Sequence, residues 1–406
     1  MIRTTPFHER LTELNDQHLF THWSGYLSAL RFSHAPKHEY FAVRNAVGVF
    51  DSSPLFKYRI SGPDALDFLS AIVVRDLGAL RPGRAAYTFW CDDRGFVMED
   101  GVVFRHSDNE LVMTAARPML SWLTSHTYGA RVELEDVSDD FALLAVQGLR
   151  SRDVLAGLVP EVTDLPYFGL VEAKLASVPV TVSRTGYTGD LGFELSVPAA
   201  DAVAVLDAVL EAGRPHGIRP FGEEALMTLR IEAGLPLTGV EWQDSRTAWT
   251  DHDRVTPKEL GQGWMLKGVR DGSRRFIGSE AIRRELVDGT SRWATTGIVV
   301  DWADWDRLHR DAGELPTKDE QSLGWEQWLR ADPEGTGEQV GYVTSFCYSP
   351  VMQRHIGIAR VRPDLAAAGT ELHMETTLHH GTHMVAVNTV PLPFDAVHEF
   401  VPQHAA

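Results

Sequence analysis

A single glutamate, Glu194, interrupts an apolar segment where its carboxylate could bind a ligand. It lies near the end of the stretch SRTGYTGDLGFEL (183–195), whose glycines recur every third residue, at 186, 189 and 192. Because successive side chains of a strand point to opposite faces, Glu194 points away from its neighbours Phe193 and Leu195. It is therefore either an exposed residue of a half-buried strand or a carboxylate in a pocket.

The glycine spacing does not fit a phosphate-binding loop. A dinucleotide-binding loop reads G-x-G-x-x-G between a strand and a helix, whereas this stretch reads G-x-x-G-x-x-G and is followed by a strand-like segment. The Gly-Lys-Ser or Gly-Lys-Thr of a Walker loop is missing. The composition predicts a tight glycine turn between the strands PVTVSR (179–184) and GFELSVP (192–198).

A second pair of carboxylates, Glu99 and Asp100, lies in FVMEDGVVFR (96–105). This segment and NELVMTAA (109–116) have the pattern of two paired strands joined by the turn HSDN (106–109). Adjacent carboxylates can serve acid–base chemistry, but such a pair also suits a solvated turn.

The remaining elements predict a chain that mixes helices and strands. The sequence predicts a strand at 56–62 and a helix at 63–73. A second helix, over 201–217, places Val203, Leu206, Val209 and Leu210 on one face and stops near Gly213. From about residue 335 onward, short strand patterns indicate an all-β domain. The preceding stretch, 302–337, has four tryptophans and is either a surface insertion or a lid or partner surface.

Length and composition limit the class of protein. The 406 residues suggest two or three domains, and no apolar run approaches a membrane span. The two cysteines, Cys91 and Cys347, favour a cytoplasmic location and form no metal motif, so we expect no metal site. A net charge of −18 argues against a nucleic-acid or membrane surface.

The stretch 183–195 closely resembles the signature of the tetrahydrofolate-binding aminomethyltransferase family, which includes the glycine cleavage T-protein and folate-dependent demethylases. Further segments resemble the family along most of the chain outside the tryptophan-rich stretch. They are EYFAVRNAVGVFDSSPLFKYRISGPDALDFL (39–69), RAAYTFWCDDRGFVMEDGVVFR (84–105), MTLRIEAGLPLTGVEW (227–242) and GEQVGYVTSFCYSPVMQRHIGIARV (337–361).

The resemblance implies a tetrahydrofolate site. Glu194 would accept the amino group and ring N–H of the pteridine as a paired, charge-assisted contact. Further residues implied to contact the folate are Tyr187, Arg184, Gly186 and Trp264; packing in a hairpin is an equally good interpretation of Tyr187. Asp100 would be catalytic together with Tyr87, thirteen residues earlier. Glu99, its neighbour on a strand, is expected to face away from the folate.

The resemblance also implies a fold. We expect an α+β protein with three domains in a ring around a central folate tunnel. The expected folate-binding domain comprises 1–48 and 140–245, and a second α+β domain with the catalytic hairpin comprises 49–139 and 246–290. The C-terminal β-barrel domain would span 291–406 and contain the tryptophan-rich insertion 302–337.

Departures from the T-protein pattern bear on the substrate. They are SPL (53–55) in place of SHM, Leu226 in place of arginine, Thr114 in place of asparagine and Phe104 in place of tyrosine. They favour a relative that transfers methyl or other one-carbon groups between a small methylated substrate and tetrahydrofolate. Two alternatives remain: an aminomethyltransferase that acts on a lipoyl carrier protein, and a non-catalytic folate-binding protein. Any oxidation would need a flavoprotein partner, because the chain lacks a Rossmann fingerprint.

Overall fold

The structure is a computed structural model that describes residues 2–318 and 327–394. The chain divides into two compact units, Met1–Leu226 with Lys267–Glu280 and Met227–Leu266 with Ala281–Ala406. Within the described residues, none of the helices combines the length and the apolar character that a membrane crossing requires.

The helices and strands up to residue 147 are, in chain order, α1 (His8–Glu13), β1 (Leu19–Trp23), β2 (Tyr26–Arg31), α2 (Pro36–Asn45), β3 (Gly48–Asp51), β4 (Phe56–Ser61), α3 (Ala65–Ile72), β5 (Arg84–Cys91), β6 (Val97–Arg105), β7 (Glu110–Ala115), α4 (Leu120–Ser125), β8 (Glu133–Asp136) and β9 (Phe141–Gln147). Those that follow, up to residue 232, are α5 (Ser151–Ala156), β10 (Leu170–Leu175), β11 (Val178–Ser183), β12 (Gly192–Pro198), α6 (Ala202–Gly213), β13 (Arg219–Pro220) and α7 (Glu223–Glu232). The C-terminal part contains α8 (Ser279–Asp288), β14 (Ala294–Val300), α9 (Trp302–Asp311), β15 (Gln327–Arg330), β16 (Gln339–Ser349), β17 (Arg354–Val361), β18 (Glu371–Leu378) and β19 (Gly381–Val390).

Two larger sheets organise the first unit. A six-stranded sheet has the order β10-β11-β12-β9-β3-β13, and a five-stranded sheet has the order β5-β6-β7-β4-β8. The inner face of the six-stranded sheet packs with α5 and α6 in one apolar core, which includes Val146, Leu195 and Val209. The five-stranded sheet has a separate core with α3, which includes Leu69 and Trp90. Each sheet carries one of the two carboxylate groups singled out by the sequence.

The helix expected over 201–217 is present as α6, but its buried face differs by one residue. Its buried residues are Ala202, Val205, Leu206, Val209 and Gly213, whereas Val203 is 40% exposed. Val203 was therefore wrongly assigned, because one residue along a helix turns the side chain by roughly 100°. The predicted stop at Gly213 is confirmed, because α6 ends at this residue. Packing also requires glycine there, since a Cβ would lie 2.5 Å from the Ile218 side chain.

The second unit contains a closed barrel of order β14-β17-β16-β15-β18-β19. The α+β class and the C-terminal β-barrel are thus confirmed. The first barrel strand begins at Ala294, before the strand patterns seen from about residue 335 and inside the expected range 291–406. The finer division into three domains stays a prediction.

The tryptophan-rich stretch is not merely a surface insertion. Its helix α9 begins after Asp301, whose side chain accepts hydrogen bonds from the Ala303 and Asp304 N–H groups. Trp305 on this helix is buried in the barrel core, and so is Leu329 on β15. Part of the segment between these two elements, 319–326, lies outside the described residues and includes Trp325.

Candidate active site

The hairpin of β5 and β6 brings Tyr87 and Asp100 together. Tyr87 lies opposite Val102 and Asp100 lies opposite Phe89, so Tyr87 and Asp100 are diagonal neighbours on one face of the sheet. The Tyr87 hydroxyl donates a hydrogen bond of 2.7 Å to Asp100 Oδ2. The spacing of thirteen residues therefore fits the register of this hairpin, which makes the two side chains diagonal neighbours.

Burial makes Asp100 a weaker acid than a solvated aspartate. Loss of solvent raises the pKa of Asp100 to about 6, although the hydrogen bond from Tyr87 and the interaction with Glu99 act to lower it. Burial and the Asp100 charge raise the pKa of Tyr87 well above its ordinary value, so the phenol keeps its proton. A carboxylate with a pKa close to neutrality is suited to accept or return a proton.

The signature stretch lies close to this pair. Tyr187, in the loop between β11 and β12, contributes to the raised pKa of Tyr87, so the two phenols are within electrostatic range. The fold thus brings the hairpin of β5 and β6 and the signature, about a hundred residues apart in sequence, to one region of the first unit.

Glu194 lies on the face of β12 opposite to the apolar core. Its neighbours Phe193 and Leu195 are fully buried in that core, whereas Glu194 is partly exposed on the other side. The Thr185 hydroxyl donates to Glu194 Oε2, and the Thr185 and Ser183 hydroxyl oxygens are 2.7 Å apart. Burial raises the pKa of Glu194.

This carboxylate fits the donor pair of a pteridine. Thr185 satisfies one lone pair of Oε2, and no group in the described part of the chain donates to Oε1. A carboxylate that is partly shielded from solvent and has one oxygen without a hydrogen-bond donor is suited to a ligand that supplies N–H donors. The side chain present at Glu194 is therefore compatible with the pteridine of tetrahydrofolate.

The loop that carries the signature is longer than the predicted tight turn. The strands β11 and β12 do pair, but eight residues, 184–191, connect them. The buried amide of Gln147 holds both ends of this loop, since Nε2 donates to the carbonyl oxygens of Thr185 at 3.2 Å and Phe193 at 3.1 Å. Its Oε1 accepts from the Thr188 hydroxyl at 3.2 Å.

Gln147 also explains two of the three glycines. A Cβ on Gly186 would lie 2.0 Å from Gln147 Oε1, and a Cβ on Gly192 would lie 2.1 Å from it. Gly189 instead has a φ of +82°, a left-handed conformation that disfavours other residues. The need for glycine at 186 is thus explained by packing, and a folate contact there stays a prediction.

Arg184 and Trp264 have other polar partners in the structure. Arg184 Nη1 donates to the Leu165 carbonyl at 3.2 Å. Trp264 is 58% exposed in the second unit, and its Nε1 donates to Gln262 at 2.8 Å. Their roles in folate binding also stay predictions.

The interpretation of Glu99 and Asp100 as a solvated turn is wrong. Both residues lie within β6, and Glu99 is fully buried opposite Trp90, a residue of the core of the five-stranded sheet. Glu99 therefore faces away from Asp100, as strand alternation predicts, but it faces the protein interior.

Sequence reasoning missed Thr185 and Gln147. The threonine lies inside the signature itself, and the signal for Gln147 is a single amide at the end of the apolar strand FALLAVQ (141–147). It also missed Gly101, where a Cβ would lie 1.9 Å from the carbonyl oxygen of Thr114. This close approach of β6 and β7 fixes the backbone next to Asp100.

Two segments of the sequence match one protein family. Residues 7–267 match the GCVT N-terminal domain, and residues 317–395 match the glycine cleavage T-protein C-terminal barrel domain. The chain belongs to the glycine cleavage T-protein family. Family membership makes it an enzyme, a folate-dependent one-carbon transferase that uses tetrahydrofolate.

Curated relatives extend over nearly the whole chain. The aminomethyltransferase of Shouchella clausii is 36% identical over 345 residues, which cover 84% of this chain and 85% of the relative. The aminomethyltransferase of Saccharopolyspora erythraea is 33% identical over 97% of this chain and 98% of its own length. The crystal structure of the glycine cleavage system aminomethyltransferase T from Bartonella henselae has the same fold, with a TM-score of 0.80, 23% identity and coverage of 97% and 98% of the two chains.

Proposed function

We propose that this protein is an aminomethyltransferase, which moves a one-carbon unit from an aminomethyl group on a lipoyl carrier protein to tetrahydrofolate. The observation that carries the proposal is the full-length similarity to proteins named aminomethyltransferase, combined with the Tyr87–Asp100 pair beside the signature loop. The departures from the T-protein pattern favoured demethylation of a small molecule. The relatives instead favour transfer from a carrier protein.

The folate, when bound, supplies a nucleophilic nitrogen that takes up a one-carbon unit with cationic character. Glu194 is expected to orient the pteridine by accepting its donors, with Thr185 holding the carboxylate in place. Asp100, ionised above about pH 6, is expected to accept a proton or to stabilise positive charge during the transfer. Tyr87 fixes the Asp100 carboxylate by its hydrogen bond.

A lipoyl carrier protein is the proposed partner, and its acidic surface would need a basic patch on a chain of net charge −18. The segment Lys267–Glu280 offers one, since it has four basic residues against two acidic residues, Asp271 and Glu280. Lys267, Arg270 and Arg275 are exposed and, among the described residues, have no ion-pair partner. Arg274 anchors the segment, because its Nη2 donates to the carbonyl oxygens of Ser70 at 2.6 Å and Val73 at 2.8 Å. The expected cytoplasmic location is part of this proposal.

The test is a pair of transfer assays on the same enzyme. Incubation with tetrahydrofolate and a carrier protein that bears an aminomethyl-lipoyl group should yield ammonia and methylene-tetrahydrofolate. Incubation with tetrahydrofolate and a panel of methylated amines, sulfonium compounds and methoxyaromatics should yield no methyl-tetrahydrofolate. Methyl transfer from one of these compounds, without activity on the carrier, would contradict the proposal and favour the demethylase.

A further inference from the structure

Glu99 is a buried carboxyl group that the transfer scheme does not use. It is fully buried, and its side chain folds back along β6, so that Oε1 accepts a hydrogen bond of 2.9 Å from the Asp100 N–H. In the described part of the chain, Oε2 has no hydrogen-bond partner. A buried carboxylate oxygen without a donor is costly, whereas the same oxygen carrying a proton is a donor in search of an acceptor.

The groups around Glu99 show where that proton can go. Asp100 is the adjacent carboxyl, Tyr58 packs in the same core, and Arg117 is the cation that acts on Glu99. Tyr87 on β5 is already bonded to Asp100. Among these groups, Asp100, whose backbone N–H the Glu99 carboxyl already accepts, has the carboxylate that can take the Glu99 proton.

We propose that Glu99 is a positioning residue, a neutral carboxylic acid that shares its proton with the Asp100 carboxylate and keeps Asp100 ionised at the pH of the reaction. The inference rests on the proposed role of Asp100 in transfer. The electrostatics agree with the geometry: burial and the Asp100 charge raise the pKa of Glu99 well above its ordinary value, while the interaction with Glu99 lowers the pKa of Asp100. The two carboxyl groups thus carry one negative charge between them, and this charge lies on the Asp100 carboxylate.

The proposal makes opposite predictions for two substitutions. Glu99→Gln keeps a neutral donor of the same shape, so the acid limb of the kcat–pH profile should stay within a few tenths of a pH unit of the wild type. Glu99→Leu removes the donor, so the limb should move up by about one pH unit. Such a shift lowers kcat about twofold at pH 7 and about ninefold at pH 5. A purely structural role would lower kcat equally at all pH values.

A second measurement does not depend on turnover. The infrared spectrum of the ligand-free wild type at pH 7.5 should contain the C=O band of a protonated carboxyl group. This band should be missing from the spectrum of Glu99→Gln, so that it appears in the difference between the two spectra. Glu133→Gln, on the exposed strand β8, is the control and should leave the band unchanged. This readout applies even where Glu99→Leu fails to fold.

The outcomes separate this inference from the proposed function. If no protonated band is lost in Glu99→Gln, or if the acid limb of Glu99→Leu does not move, Glu99 does not hold the proton and the inference is overturned. If the band is lost but the wild type transfers nothing from the aminomethyl carrier, the proposed function fails while the proton on Glu99 stands.

Discussion

Replacement of Glu194 by alanine is expected to weaken tetrahydrofolate binding strongly. The substitution removes the acceptor of two ligand N–H groups at a place where burial has already displaced water. Hydrogen bonds to a charged group contribute about 1.5–3 kcal/mol, so the loss of the paired contact should cost about 2–4 kcal/mol. This corresponds to a rise in Kd of about 30-fold to about 1,000-fold.

Two further variants show how much of this loss of tetrahydrofolate affinity is due to the carboxylate itself. Thr185→Val keeps the carboxylate but removes the hydroxyl that donates to Oε2, and it should cost about 1–2 kcal/mol of binding free energy. Ser196→Ala alters the same face of β12 two residues further along, and it should leave affinity nearly unchanged.

Isothermal titration calorimetry with tetrahydrofolate, on variants with wild-type thermal unfolding, measures all three affinities. Wild-type affinity in Glu194→Ala would refute the assignment. An equal loss in Ser196→Ala would show that the effect comes from the strand rather than from the carboxylate.

Four further predictions follow from the same contacts. Tyr87→Phe removes the hydrogen bond to Asp100, so the acid limb of kcat should shift to higher pH and turnover at pH 7 should fall about tenfold. Because burial raises the pKa of Glu194, folate affinity should weaken as the pH falls towards that raised pKa, and titration calorimetry between pH 5 and pH 8 checks this. Because the pKa of Asp100 is raised in the native protein, the native state binds this proton more tightly than the unfolded chain does, and the free energy of unfolding should fall as the pH rises from about 4 to about 6. In thermal unfolding experiments, Asp100→Asn should flatten this pH dependence and raise Tm at pH 7.5 by about 2–4 °C. Gln147→Leu leaves two carbonyl oxygens and a hydroxyl without their partner and should lower the free energy of unfolding by about 2–3 kcal/mol, as measured by urea denaturation.

The sequence predicted the position of the site residues on their own strands better than the contacts that these residues make with distant parts of the chain. Strand alternation correctly placed Glu194 opposite Phe193 and Leu195, because a period of two is a property of the local backbone. The pairing of Tyr87 with Asp100 was implied only by the resemblance, although the hairpin of β5 and β6 is formed by nearby segments.

Features that depend on distant contacts were not predictable. Whether Glu99 faces solvent or a core depends on α3, which packs on that side of the sheet against side chains of the neighbouring strands β4 and β7. The length of the signature loop depends on Gln147, which lies in a different segment of the chain. The buried stripe of α6 differed by one residue because the strands beneath it fix its rotation.

Asp100 is expected to act in the transfer step rather than in tetrahydrofolate binding. The most direct test is the single-turnover rate of Asp100→Asn with tetrahydrofolate and the aminomethyl carrier, together with the tetrahydrofolate affinity of the same variant. We expect nearly unchanged affinity and a rate lower by roughly a hundredfold or more, since the shape of the side chain stays and its charge is lost. A wild-type rate, or a loss explained wholly by weaker binding, would contradict it.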